Sequence, residues 1–209
     1  MRRLLVPFLA LTGMCAVTAA AAAADLPGSH DPQYLKRFQG SDIVNFVTRS
    51  FDRYTFALGP GTPGGGFTKM EAMEGKVTRV IYHIPQGHTA LELLRNYEHM
   101  LTDAGLKQTY ELAPCASLNW GGYFVDKAYG QDGPMDNTPY HAMGNGCYVY
   151  FKGVKDGKTV GVAVLVAEMN ADQNFHPTGT AMTIPIKNGD VIVGVDEVIV
   201  TPVANGMTK

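Results

Sequence analysis

The chain has 209 residues, of which 17% are charged and 45% hydrophobic, and its formal net charge at pH 7 is −2. This nearly neutral, slightly acidic balance disfavours nucleic acid as a partner, because nucleic-acid binding requires clustered basic side chains. The 24 glycines and 12 prolines favour a turn-rich β structure over a helix bundle.

Residues 1–24 have the pattern of a secretory signal peptide. Two arginines precede an uncharged, mostly apolar run that closes on alanines before Asp25. A retained membrane anchor and a lipoprotein modified at Cys15 are the alternatives, but alanine-rich sequence is a poor membrane span and Met14 is too bulky for the usual lipidation signal. We predict export by the general secretory pathway and a single periplasmic α+β domain over 25–209. We predict no further membrane span.

The first structured part of the mature chain is predicted to be β-rich. In "DIVNFVTRSFDRYTFALGP", β-branched and aromatic residues alternate, which indicates two strands joined by a tight turn near Ser50. The glycine-rich stretch 59–66 is interpreted as a plain connection, with a mobile flap as the alternative. "KVTRVIYHIP" has apolar residues on both faces, so it is predicted to be a central strand of a sheet.

Residues 90–104 are predicted to form the one main helix. Thr89 and Glu92 have the spacing of a capping box, and Gly105 is placed to end the helix, with Leu106 contacting Leu101 across the cap. The helix is amphipathic. Its predicted buried stripe consists of Ala90, Leu93, Leu94, Tyr97, Met100, Leu101 and Ala104.

Further strands are predicted after the helix. "LKQTYEL" indicates a short strand, residues 113–146 an irregular segment, and "CYVYFKG", "KTVGVAVLVAEM" and "DVIVGVDEVIV" three strands, the first two joined by a hairpin turn at "KDGK". The predicted fold class is therefore α+β, with a mainly antiparallel sheet of about six strands and one helix.

Removal of the leader would leave two cysteines, Cys115 and Cys147. In an oxidising compartment an even pair favours a disulfide, which would close a loop of about 33 residues, with two free buried thiols as the alternative. The segment between them contains five candidate binding residues, since aromatic side chains on a pinned loop can stack on sugars or dock a partner. They are Trp120, Tyr123, Phe124, Tyr129 and Tyr140. The alternative is a small core that folds this segment onto the sheet.

No motif in the sequence points to catalysis, a cofactor or a metal site. The chain has no HExxH zinc motif, no GxSxG nucleophile elbow and no phosphate-binding loop of the GxxxxGK[ST] type. His83 and His88 could approach each other across a turn, but a zinc site would need a third ligand. The competing hypothesis is an exported enzyme, such as a hydrolase, that uses loop carboxylates and histidines such as His141.

Several motifs resemble an uncharacterised bacterial envelope domain that often precedes an OmpA-like peptidoglycan-binding domain. They are "GSHDPQYLKRFQGSDIVNF", "FDRYTFALGP", "MEGKVTRVIYHIPQGHTALELLRNYEHMLTDAGL" and "VAVLVAEM", and together they span most of 28–169. The resemblance implies a periplasmic or outer-membrane-associated module with no catalytic residues to transfer. No OmpA-like segment follows in this sequence, so peptidoglycan binding is not implied, and the spacing of the two cysteines is longer than the family's. We therefore predict a non-enzymatic module that binds an envelope protein or another envelope component.

Overall fold

The computed structural model describes residues 25–62, 67–117, 143–177 and 179–200. The elements in this part of the chain are β1 (Asp42–Ala57), β2 (Met70–Ile84), α1 (Ala90–Asp103), β3 (Lys107–Ser117), β4 (Met143–Lys155), β5 (Lys158–Met169), β6 (Gln173–Phe175), β7 (Ile184–Ile186) and β8 (Val191–Val200). Six strands form an antiparallel sheet in the order β1-β2-β8-β5-β4-β3, and β6 pairs with β7. The predicted α+β class is confirmed.

The prediction of two strands around Ser50 is wrong. The chain continues as one 16-residue strand, β1, with a β-bulge between Arg49 and Asp52. Arg49 lies opposite Val77 and Asp52 opposite Gly75, so β1 contains one residue more than β2 over this stretch. A bulge bends a strand without reversing it, and residues 49–52 contain no glycine, proline or asparagine to form a tight turn.

Other local predictions are confirmed. β2 lies inside the sheet between β1 and β8, and it is buried on both faces from Val77 onward. Lys155 pairs with Lys158, and Asp156 and Gly157 have φ angles of 50° and 74°, as a two-residue hairpin turn requires. The prediction of an irregular segment over 113–146 is wrong at both ends, because β3 continues to Ser117 and β4 begins at Met143. The remaining residues, 118–142, lie outside the described chain.

The helix begins and ends as the capping residues predict. The Thr89 hydroxyl accepts a hydrogen bond from the Glu92 N–H at 3.1 Å. At the other end Gly105 has a φ of 80° and the Leu106 N–H donates to the Leu101 carbonyl at 3.0 Å, which is a Schellman cap. The predicted apolar stripe faces the sheet, but Glu98 is buried beside it as well, with its carboxylate bonded to Arg95 at 2.5 Å.

Both faces of the six-stranded sheet are covered by other parts of the chain. One face packs against α1 and against the N-terminal segment 25–41, which contributes Leu26 and Leu35 to the core. The opposite face packs against the β6–β7 hairpin and against the distal end of the β1–β2 hairpin. The Phe56 ring of β1 stacks on Tyr150 of β4, with ring centroids 4.3 Å apart, although these strands lie at opposite sides of the sheet.

Two glycines permit this close packing of the hairpin end. A Cβ on Gly75 would lie 2.3 Å from the Ile199 carbonyl oxygen, where β2 passes the end of β8. A Cβ on Gly161 would lie 2.8 Å from the Met73 sulfur and 3.1 Å from the Phe56 ring. The sheet is therefore strongly curled, with the hairpin end folded over its own face.

Candidate functional site

The two cysteines are paired, as predicted. Cys115 of β3 and Cys147 of β4 are at disulfide distance with their Cα atoms 4.6 Å apart, which is within the usual range for a disulfide. The five aromatic candidates, Trp120, Tyr123, Phe124, Tyr129 and Tyr140, lie outside the described residues. Ser117 pairs with Asn145, so the described strands on either side of these candidates, β3 and β4, are neighbours in the sheet.

His83 and His88 bind different carboxylates. His83 is only 8% exposed, and its Nε2 lies 2.7 Å from Asp190 Oδ2. Asp190 also accepts hydrogen bonds from the Gln86 and Lys187 N–H groups, at 3.1 and 2.7 Å. The pair therefore joins the β2–α1 turn to the β7–β8 turn. His88 lies instead beside Glu92, with Nδ1 3.0 Å from the carboxylate.

His30 lies 2.8 Å from the Asp31 carbonyl and packs edge-on against the Phe46 ring. The other two described histidines make local contacts. His99 lies beside Asp103 on the exposed face of α1, and His176 lies 3.2 Å from the Thr183 hydroxyl. Within the described ranges no group of three His, Cys, Asp or Glu residues could hold a metal ion. His141, the third histidine of the enzyme hypothesis, falls outside these ranges.

A buried ion pair joins two neighbouring strands on the curled face of the sheet. Arg79 of β2 contacts Asp196 of β8 at 2.6 Å, and the Asp196 side chain is fully buried. The Tyr54 hydroxyl donates to the other carboxylate oxygen at 2.9 Å. Burial and the neighbouring Asp196 raise the pKa of Tyr54 well above its ordinary value, so this hydroxyl remains a donor. The cluster is enclosed and charge-balanced, as a structural tie between strands would be.

Carboxylates also attach the N-terminal segment to the sheet. Glu197 accepts the N–H groups of Gln33 and Tyr34, both at 2.9 Å. Burial raises the pKa of Glu197 above its ordinary value and outweighs these two hydrogen bonds. The pKa of Asp25 is shifted in the opposite direction. Burial would raise its pKa, but hydrogen bonds from Arg37 and from the Ile43 N–H hold it below the ordinary value.

One open surface feature lies at the folded end of the β1–β2 hairpin. This hairpin groove is lined by residues that include Phe51, Arg53, Glu71, Met73, Glu74 and Lys152, and has a volume of about 480 Å³. Phe51 lies in the β-bulge and is 70% exposed. Lys152 and the Tyr150 hydroxyl both bind the Glu71 carboxylate. Arg53 lies opposite Glu74 in the strand register, and its guanidinium forms no hydrogen bond or ion pair with the described residues.

A second open feature lies near the start of α1. This amide groove is lined by residues that include His88, Gly144, Asn145, Glu168, Asn170 and Asn188, and has a volume of about 500 Å³. Four separate segments meet here: the β2–α1 turn, the start of β4, the end of β5 and the β7–β8 turn. Glu168 accepts the Ala90 N–H at 2.7 Å and the Asn145 amide at 3.1 Å, so its carboxylate is held at the helix start.

Sequence reasoning missed both grooves and the contacts of the three buried carboxylates Asp190, Asp196 and Glu197. The hairpin groove depends on a bulge, and the amide groove brings together residues as far apart as His88 and Asn188. The acidic pair Asp196 and Glu197 within an otherwise apolar strand was an available signal, because carboxylates at buried strand positions need partners.

The described residues contain no helix that is long and apolar enough to cross a membrane. Comparison with protein-family models and with curated proteins finds no match to this chain.

Proposed function

We propose that this chain is a non-enzymatic module of the bacterial cell envelope, exported by the general secretory pathway, that binds a protein partner through the hairpin groove. The observation that carries the proposal is Phe51, a large aromatic side chain held 70% exposed by a β-bulge at the rim of a groove. Burying such a side chain against a partner contributes about 1.5–3 kcal/mol, and aromatic side chains and arginine are enriched at the energetic centres of interfaces.

The charges around Phe51 fit the same role. Lys152 and Glu71 neutralise each other, whereas Arg53 and the Glu74 opposite it in the strand register form no ion pair with the described residues. An arginine beside an exposed aromatic ring can orient a partner that offers a carboxylate next to an apolar pocket. The leader pattern of residues 1–24 and the resemblance to an envelope domain support the location.

The contacts of the histidines favour binding over catalysis. A general base needs access to substrate, but His83 is buried and paired with Asp190. His88 is paired separately with Glu92 of α1, so the two histidines do not share a partner. The enzyme hypothesis is tested by assaying the purified protein on a broad hydrolase panel. Turnover that is abolished by His83→Ala, His88→Ala or His141→Ala would replace the binding proposal with an enzymatic one.

The binding proposal is tested with a photo-crosslinking amino acid at position 51 in the native cell. Val154 is the matched control, because it is an apolar strand residue that is 68% exposed and does not line the hairpin groove. We expect one discrete adduct from position 51 and none from position 154. The captured protein, once purified, should bind wild type and the Val154→Ala variant equally and lose about tenfold in affinity for Phe51→Ala. Equal affinities for all three proteins would contradict the proposal.

A further inference from the structure

We propose that the amide groove binds an uncharged, hydroxyl-rich ligand, namely a glycan segment. This site is separate from the hairpin groove, and the two share no lining residue. The inference rests on which hydrogen-bonding groups in the groove are already satisfied and which remain available.

The groove does not favour an anion, although it lies at a helix start. Helix N-termini attract anions because their first N–H groups are free. Here the Ala90 N–H donates to Glu168, the Glu92 N–H donates to the Thr89 hydroxyl, and the Leu93 N–H donates to the Thr89 carbonyl. The Glu168 carboxylate occupies the place that an anion would take and would repel one.

A cation is disfavoured as well. Glu168 is the only carboxylate among the described lining residues, and both of its oxygens accept hydrogen bonds. Its charge is offset by the positive end of α1, because the helix dipole favours negative charge at that end. A hard cation would need several more oxygen ligands of negative charge. The ligand that fits the groove is therefore neutral.

Three asparagine amides supply the available hydrogen-bonding groups. Asn170 and Asn188 are exposed, and their side chains make no hydrogen bond with the described residues. Asn145 donates to Glu168, which leaves its carbonyl oxygen free to accept. A primary amide presents donors and an acceptor in one plane, which suits the adjacent hydroxyl groups of a sugar ring.

The other lining residues favour a glycan over a neutral peptide. Peptide recognition uses apolar pockets for side chains, but Met169, the one large apolar lining residue, is buried. His88 is half-buried, and its ring packs edge-on against Phe38 with centroids 4.9 Å apart, so the ring is fixed at the groove wall. A fixed, flat ring can lie against the face of a sugar.

The backbone that carries these groups is held in place before any ligand binds. The Gly189 N–H donates to the Met169 carbonyl at 2.8 Å, and the Asn188 N–H donates to Asp172 at 2.9 Å. The buried pair of His83 and Asp190 ties the same turn to the chain before α1. Preorganised groups bind with less loss of conformational entropy, so few hydrogen bonds are sufficient for a measurable affinity.

The test is an NMR titration of the mature protein with an uncharged oligosaccharide, the tetramer of N-acetylglucosamine. We expect saturable shifts of the Asn170 and Asn188 side-chain amide resonances. Replacing either residue with alanine should weaken binding about tenfold, as the loss of one or two ligand hydrogen bonds would. Asn174→Ala is the matched control, since Asn174 is an exposed asparagine of β6 outside the groove, and it should not change the affinity.

Parallel titrations use inorganic phosphate, magnesium and an uncharged, end-blocked alanine tetrapeptide. The proposal is overturned if any of these binds at the groove more tightly than the oligosaccharide, or if the oligosaccharide gives no saturable shift at about 10 mM. It is also overturned if both asparagine variants bind like wild type. Phe51→Ala should leave the titration unchanged, so the outcome is independent of the partner proposed for the hairpin groove.

Discussion

At the scale of single residues, three buried carboxylates determine how distant parts of the chain are joined. Asp196 holds Arg79 and Tyr54 across the curled face, Asp190 holds His83, and Glu197 binds the backbone of the N-terminal segment. A buried charge without its partner is costly, whereas a complete pair contributes little net stability. The main effect of these carboxylates is therefore to determine which segments meet, and their net contribution to the stability of the fold is small.

Removing one partner of the buried ion pair should be far more damaging than removing both. Arg79→Met leaves the fully buried Asp196 without its cation, so the free energy of unfolding should fall by about 3–5 kcal/mol in denaturant titrations. The double variant Arg79→Met/Asp196→Asn, which removes the buried charge but keeps an acceptor for the Tyr54 hydroxyl, should recover most of this loss. A double variant less stable than Arg79→Met alone would contradict the assignment of Asp196 as the residue that requires a partner.

Glu197 should give the protein a pH dependence opposite to that of a typical paired carboxylate. Burial raises the pKa of Glu197 in the folded state above the ordinary value of 4.5. At pH values between 4.5 and the raised pKa, the folded protein therefore keeps a proton that the unfolded chain has released. The contribution to stability is then complete below pH 4.5 and is lost as the pH rises through the raised pKa.

The measurement is the free energy of unfolding at a series of pH values from acid to neutral, for wild type and Glu197→Gln. The variant cannot titrate at this position, so its stability relative to wild type should improve as the pH rises. A difference between the two proteins that stays constant over the whole range would show that Glu197 does not titrate abnormally.

At the scale of secondary-structure elements, the β1–β2 hairpin folds over the sheet to which it belongs. Its distal end leaves the plane of the sheet at the bulge near Arg49 and Asp52 and covers the opposite face, where Phe56 meets Tyr150. The same bulge exposes Phe51 at the rim of the hairpin groove. One irregularity in a strand therefore produces both the closure of the core and the candidate interface.

Gly75 should be essential for this fold of the hairpin. In Gly75→Ala the new methyl group would meet the Ile199 carbonyl, a backbone atom that cannot rotate away. We expect the free energy of unfolding to fall by about 1–3 kcal/mol, the usual cost of overpacking. Gly153→Ala is the control and should cost less, because the nearest atom to its new methyl group would be a side-chain methyl of Leu106, and the nearest backbone atoms would be 3.4 Å away. Equal losses in both variants would indicate a general cost of replacing a strand glycine.

The disulfide joins β3 to β4 near the ends of these strands that border residues 118–142 in the sequence. Replacing Cys115 and Cys147 with serine opens a loop of about 33 residues, and the chain-entropy model predicts a loss of about 3–4 kcal/mol in stability. Thermal and denaturant unfolding of the double variant measures this loss. Alkylation of both cysteines in unfolded, unreduced wild type would show that the bond does not form in the protein isolated from the cell.

At the scale of the whole molecule, the N-terminal segment is part of the domain. The Leu26 N–H pairs with the Ile43 carbonyl at 2.9 Å, and the Asp25 carboxylate binds the Ile43 N–H and Arg37. Its side chains cover the same face of the sheet as α1. A mature chain that starts at Asp25 would therefore retain the whole segment 25–41 that packs on this face of the sheet.

Export should yield a mature form whose first residue is Asp25. The basic start, the apolar run and the small residues before position 25 are the basis of this prediction. Intact mass of the protein after cell fractionation is the measurement. A species that retains Met1, or one that carries a lipid at Cys15, would contradict cleavage at this position.

The sequence by itself determined the features whose signals lie within a few neighbouring residues. Thr89, Glu92 and Gly105 set the limits of α1, and Asp156 and Gly157 form the predicted hairpin turn. Apolar residues on both faces of β2 placed this strand inside the sheet. The pairing of the cysteines followed because only two remain after the predicted leader. Each of these depends on local backbone preference or on counting, which a linear sequence records.

Only the tertiary structure decided the strand order β1-β2-β8-β5-β4-β3, the bulge in β1 and the two grooves. Antiparallel strands with apolar residues on both faces can be arranged in several orders, because local propensity does not specify which neighbour each strand takes. The pairing of β2, β5 and β8 brings together residues that are about 100 positions apart in the chain. It forms the ion pair of Arg79 with Asp196, and it places His88 and Asn188 in one groove. Contacts of that separation arise when the sheet assembles and its core is packed.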